Sequence, residues 1–262
     1  MEFFDSHAHY MDEKYNEDRN ELIKRMYDEG ITKIIVVGSN VQTSKEAVDI
    51  ANKYEHIYAT CGIHPSDIEG IDMEKSLQDI ETLCRENKKV IAIGEIGLDY
   101  HWNTENKEAQ KNAFVKQIEI ANKLYLPIVI HSREAYIDTI DVLKNVVNAN
   151  KRGVFHCCPL NRELVRDALN LGYNISFAGA ITFKNSKNAD EIIQMVPLER
   201  LQIETDAPYL SPEPFRGTRN NSMNVKYTAQ KIANAKGITL EEVAKATYEN
   251  TVNMFLKEKE LD

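Results

Sequence analysis

Eight short β-branched, apolar runs alternate along the chain with longer stretches whose apolar positions recur every three or four residues. The short runs predict strands at Phe3–His9, Lys33–Gly38, Ile57–Gly62, Val90–Glu95, Pro127–His131, Gly153–His156, Asn174–Phe177 and Leu201–Thr205. The longer pattern is clearest at Ala109, Ala113, Phe114, Ile118 and Ala121, and again at Ile137, Ile140, Leu143, Val146 and Val147. Each set lies on one face of a helix. Strands alternating with helices are the signature of parallel βαβ units. Eight such units with right-handed crossovers close into a (β/α)8 TIM barrel, with an open doubly wound sheet as the alternative. Two further helices, about Met223–Lys236 and Leu240–Lys257, follow the last strand. No repeat or linker interrupts this order, and Pro208–Pro214 reads as the loop after strand eight. The expectation is one α/β domain over residues 1–262.

Composition narrows the class. Of 262 residues, 42% are hydrophobic and 28% charged, which excludes a disordered or low-complexity chain. Apolar runs such as Ile34–Val37 and Ile128–Ile130 fall far short of the ~20 residues of a membrane span. Asp5, Ser6 and His7 stand where a signal peptide would be basic and then apolar, so a cytoplasmic protein is expected. Cys61, Cys84, Cys157 and Cys158 show no CxxC spacing and are expected to be reduced thiols. The formal charge of −9 argues against a broad electrostatic grip on nucleic acid. Bound cations would reverse that sign locally.

Polar residues gather where the predicted strands end. Strand one exits at Asp5-Ser6-His7-Ala8-His9, strand three at His64, strand four at Glu95, strand five at His131-Ser132-Arg133, strand six at His156 and strand eight at Glu204-Thr205-Asp206. In a barrel these carboxyl ends share one mouth, where such enzymes keep their active sites. His7 and His9, two apart on a strand, face the same side. Two imidazoles in a closed interior are costly unless something engages their lone pairs, and a metal ion does so. Four histidines with Glu95 and Asp206 are too many ligands for one catalytic ion and suit two that share a carboxylate. Mg, Mn or Zn would all suit imidazole with carboxylate, with waters completing a Mg shell.

The chain resembles the TatD family of metal-dependent deoxyribonucleases, within the amidohydrolase-like barrels. The resemblance rests on Asp5-Ser-His-Ala-His9, Gly62-Ile-His-Pro65, Gly94-Glu-Ile-Gly-Leu-Asp-Tyr100, His131-Ser-Arg133, His156-Cys157 and Glu204-Thr-Asp-Ala-Pro-Tyr-Leu210, followed by Pro212, Pro214 and Arg216-Gly217. It implies one divalent ion held by His7, His9, Glu95 and Asp206, and a second by Glu95, His131 and His156, with Glu95 bridging. It further implies that Asp206 orients or deprotonates the attacking water, and that His64 contacts the substrate. The implied substrate is DNA, at single-stranded or frayed ends, with no membrane and no obligate protein partner. The same fold and ligands would also serve an ester or amide hydrolase, such as a deacylase of mischarged aminoacyl-tRNA. A non-catalytic binding module is the remaining alternative.

Other residues carry paired expectations. Arg133 would clamp a phosphate or pair with Asp99 or Glu204. Arg216, Arg219, Lys184 and Lys187 would form a basic rim or remain solvated. Tyr100 and Trp102 would stack on a base or pack the loop after strand four. Glu204 and Asp99 would fix ligand histidines from outside. By strand alternation Cys157 should point away from the metals and Cys158 toward the mouth. Cys158-Pro159-Leu160 and Asn220-Asn221-Ser222-Met223-Asn224 depart from the family's usual pattern.

Overall fold

A computed structural model describes residues 1–102 and 104–257; residues 103 and 258–262 of the expected domain lie outside them. Its eight strands are β1 (Phe3–Ala8), β2 (Ile31–Val37), β3 (Ile57–Cys61), β4 (Val90–Asp99), β5 (Ile128–Arg133), β6 (Gly153–Phe155), β7 (Asn174–Phe177) and β8 (Leu201–Ile203). All neighbours are parallel, in the order β1 to β8. The ring is brought together between β1 and β8 by a parallel bridge of Ala8 with Ala207. Backbone bonds from His9 N to Ala207 O at 2.7 Å and from Asp206 N to His7 O at 2.9 Å flank it.

Helices α1 (Arg19–Asp28), α2 (Val41–Lys53), α3 (Met73–Glu86), α4 (Lys107–Leu124), α5 (Tyr136–Asp141), α6 (Arg162–Asn170) and α7 (Ala189–Met195) alternate with the strands. After β8 come α8 (Val225–Lys236) and α9 (Leu240–Phe255), and the barrel is a TIM barrel with two extra C-terminal helices. Local chemistry sets several of the helix starts. Asn40 and Thr43 form a reciprocal cap on α2, and Thr239 and Glu242 do so on α9.

Alternate residues of one strand enter different cores. Ile34 and Val36 of β2 pack with helix residues such as Ala47 and Ile80, whereas Ile35 and Val37 join Phe4, Ile91, Val129 and Val154 in a second cluster. That second cluster is the barrel interior, and Phe255 and Leu256 at the end of α9 close it from one side.

Two sequence expectations change here. Strand four was expected to end at Glu95, but β4 runs on to Asp99, with a register shift between Ile93 and Ile96. Gly94 and Gly97 therefore mark close backbone approach rather than a strand end. The stripe from Ile137 to Val147 is only half buried: Ile140 and Leu143 are inside, while Ile137 and Val146 are exposed. The α-helix there lasts six residues and then widens into a π-turn over Val142–Val146, which rotates the later side chains off the core.

Candidate metal centre at the barrel mouth

The strand ends converge on Glu95. This carboxylate is buried, and its two oxygens face two different groups of imidazoles. Oε2 lies 3.4 Å from His7 Nε2 and 3.8 Å from His9 Nε2. Asp206 Oδ1 approaches the same pair, at 3.8 and 3.3 Å. Oε1 lies 2.7 Å from His156 Nε2, 3.0 Å from His131 Nδ1 and 3.5 Å from His64 Nε2. The register shift in β4 lets Glu95 turn into the mouth between these groups.

The outer nitrogens decide what the inner ones offer. His9 Nδ1 sits 2.9 Å from the Val37 carbonyl, His131 Nε2 2.9 Å from Asp99, and His156 Nδ1 3.2 Å from Glu204. Each outer nitrogen donates to an oxygen that can only accept, so in the neutral ring the inner nitrogen carries a lone pair. His7 Nε2 and His9 Nε2 stand only 3.1 Å apart, and His131 Nδ1 and His156 Nε2 3.3 Å. Ring nitrogens this close to one another, facing a carboxylate, call for positive charge between them. Divalent cations held by oxygen and imidazole nitrogen fit that donor set.

Charge shifts tell the same story. Burial alone would lower the His156 pKa, but Glu95 and Glu204 outweigh it and hold it well above the usual value. Burial would raise Glu95, yet His156 and His131 hold it well below the carboxylate range. Asp206 is likewise lowered against its burial by His9 and His7.

His64 differs from the other four. Its Nδ1 accepts the Ser66 N–H at 3.1 Å, so a neutral ring presents N–H, not a lone pair, at Nε2. Burial first, then His131, depress its pKa to about 3, which keeps it neutral.

The structure brings together His7, His9, His64, Glu95, His131, His156 and Asp206, with Asp99 and Glu204 behind them. It does not bring in the arginines. Arg133 was expected to clamp a phosphate or pair with Asp99 or Glu204. The pairing does not form: His131 and the N–H groups of His101 and Trp102 occupy Asp99, and Glu204 is fully buried beneath the mouth while Arg133 is exposed. Arg133 instead lies over the Trp102 ring, 5.4 Å from its centroid. Arg216 lies over Phe183 at 3.6 Å, and Arg219 is bound by Asp18. Tyr100 is buried and donates to Asp138, while Trp102 is exposed.

The cysteine expectation is reversed. Strand β6 stops at Phe155, and Cys157 takes a left-handed φ of 36°, which breaks the side-chain alternation. Cys157 now lies in the field of Glu204, Asp206 and Glu95, and Cys158 is buried in the core. Burial and those carboxylates push the Cys157 thiol well above its usual value, so neither thiol is an activated nucleophile. Cys158→Ser is accordingly expected to leave turnover within about twofold of wild type. A loss of several orders of magnitude in a steady-state assay would restore the nucleophile reading.

Some supporting residues escaped the sequence reading. Gln110 and Gln117, seven apart on the buried face of α4, use their amides as backbone clamps. Gln110 bonds Asp99 N and O at 2.8 and 2.9 Å, and Gln117 bonds Ile63 N and O at 2.7 and 3.0 Å. They fix the segments carrying Asp99 and His64. Asp5 accepts from His7 N, Thr205 N and Thr205 Oγ1, tying the β1 and β8 ends together; its burial pushes its pKa up to about 7. In the divergent loop, Asn220 donates to Thr205 O and Tyr209 O, on either side of Asp206. Two amides at heptad spacing on an otherwise apolar stripe were the available signal for the glutamines.

Comparison with known proteins decides the family. Residues 4–256 match the family described as TatD related DNase. The chain belongs to that family. It is 42% identical over 253 residues to the uncharacterized metal-dependent hydrolase YabD of Bacillus subtilis, covering 96% of this chain and 98% of that one. Identity to the uncharacterized metal-dependent hydrolase YcfH of Escherichia coli is 32% over 260 residues, covering 97% and 96%. Among solved structures, the TatD homologue YJJV of Escherichia coli superposes with a TM-score of 0.91 at 27% identity, covering 97% of each chain. A TatD family hydrolase from Entamoeba histolytica gives 0.88 at 27% identity, covering 98% of each. At this level the TatD chain is a metal-dependent hydrolase, with candidate ligand groups that include His7–His9–Glu95 and His7–His156–Asp206.

Proposed function

We propose that this TatD-family chain hydrolyses phosphodiester bonds of DNA, as an exonuclease acting on single-stranded or frayed ends. The observation that carries the reading is the division of Glu95: one buried carboxylate turns one oxygen to His7 and His9 and the other to His131 and His156. In this reading His7, His9, Glu95 and Asp206 hold one divalent ion, and Glu95, His131 and His156 the other. Bound there, the ions supply Lewis-acid stabilisation of charge on phosphoryl oxygens and lower the pKa of water.

The chain's own groups do the rest. Asp206, kept ionised by His9 and His7, accepts a proton from the attacking water. His64 presents a neutral N–H toward the same space and donates to a phosphate oxygen or the leaving group. Asp99 and Glu204 hold the rings of His131 and His156 so that their lone pairs stay aimed inward. The seat lies inside a barrel mouth, where a single strand or frayed end reaches more readily than an intact duplex. No helix among the described residues is long and apolar enough to cross a membrane.

The test is release of nucleotides from end-labelled single-stranded DNA with Mg²⁺, Mn²⁺ or Zn²⁺ against EDTA, run beside an aminoacyl-ester assay. Metal-dependent shortening from one end supports the proposal and gives its polarity. Ester cleavage by a metal-loaded protein that leaves DNA intact would replace it with the deacylase reading.

A further inference from the structure

Two cation–aromatic pairs stand on the rim of the mouth, outside the metal cluster. Arg133 ends β5 and lies over Trp102, which follows β4; Arg216 follows β8 and lies over Phe183, which follows β7. Both arginines are exposed, and among the described residues neither is paired with a carboxylate. Arg219, three residues beyond Arg216, is held by Asp18. Glu134, beside Arg133, is bonded to His101 at 2.6 Å.

Trp102 is 71% exposed. Leaving so large a ring in water forgoes the burial that indoles usually provide. Yet its position is defined. Asp99 takes the ring of His131 on one oxygen and the N–H groups of His101 and Trp102 on the other. The His101 ring meets the indole edge-on at 4.6 Å. Gln110 in turn grips the backbone of Asp99. The backbone that carries this exposed ring is thus tied, through one carboxylate, to a histidine of the candidate metal centre.

We infer that Trp102, with Arg133 over it, is a stacking platform for a base of single-stranded DNA, and that Arg216 on Phe183 receives a flanking phosphate elsewhere on the rim. The inference rests on the phosphodiesterase reading above and names how its substrate is held. Base–aromatic stacking is tolerant of sequence, and arginine adds both cation–π attraction and phosphate contact. A base inside a duplex has both faces covered by its neighbours, so the platform selects unpaired strands. On a chain of net charge −9, stacking supplies a hold that the overall field does not.

Trp102 is the sole tryptophan of the chain, so its fluorescence reports on the platform alone. The probe is a phosphorothioate octathymidylate, which resists hydrolysis, added to Mg²⁺-loaded protein. The expected result is saturable quenching, with no comparable quenching by a blunt duplex. Anisotropy of the tagged oligomer should show Kd raised about tenfold in Trp102→Ala, in the range alanine substitution of stacking aromatics produces, and largely restored in Trp102→Phe. Unchanged emission at saturating oligomer, equal quenching by duplex, or wild-type affinity in Trp102→Ala overturns the platform. Cleavage of the unmodified strand is read in parallel. Cleavage without quenching removes the platform and keeps the phosphodiesterase, whereas quenching without cleavage removes the phosphodiesterase and keeps the platform.

Discussion

Asp206→Asn is expected to lower kcat by about a thousandfold, within the range general acid–base groups contribute. The substitution keeps the shape of the side chain and removes its charge and its capacity to accept a proton. The fold should tolerate it well. Asp206 has a left-handed φ of 54°, and asparagine is among the few residues that adopt this region readily. Its backbone bonds, N to His7 O and O from Tyr209 N, do not involve the side chain. Steady-state kinetics should therefore show the loss in kcat with a melting temperature close to wild type. Near-normal turnover would remove Asp206 as the base.

Gly97→Ala is expected to have the largest effect on stability. Gly97 has φ +142°, a region that L side chains rarely adopt, and a Cβ there would stand 1.9 Å from the His131 carbonyl oxygen. That oxygen belongs to the backbone of a paired strand, Gly97 lying opposite His131 in the ladder, so it cannot swing aside. Strain and overlap together should cost about 3 kcal/mol or more. In a chain of this size that lowers the melting temperature by roughly 10 °C. Thermal unfolding of the metal-stripped protein checks this without the added stabilisation of bound ions. A shift under about 2 °C would mean that β4 and β5 do not approach as described.

Most of the frame and the centre could be read from the chain, because both depend on local periodicity. Apolar strands at regular spacing predict the eight-stranded order, and parallel strands bring their polar ends to one mouth. His7 and His9 meet because they are two residues apart. What escaped reading depends on backbone departures and on distant partners. The glycines around Glu95 look like strand ends in sequence, yet they allow β3, β4 and β5 to pack closely: a Cβ on Gly62 would meet Gly94 at 2.7 Å. Cys157 and Cys158 exchanged roles through a single positive φ, which no residue type at that position signals. Gln110 and Gln117 are polar residues on a buried face, and only the backbone they clamp explains them. Arg133 does not meet its expected carboxylate partners because Asp99 is taken by His131 and nearby backbone N–H groups and Glu204 is buried out of reach of the exposed rim.

The central claim is that one carboxylate serves two cations. Its most direct test is the metal content of wild type and Glu95→Ala after chelation, reconstitution with Mn²⁺ and removal of free ion, measured by elemental analysis and native mass spectrometry. Two ions per wild-type chain, with occupancy lost at both positions in Glu95→Ala, is the predicted result. Retention of two ions by Glu95→Ala, or a single ion in fully reconstituted wild type, would contradict it.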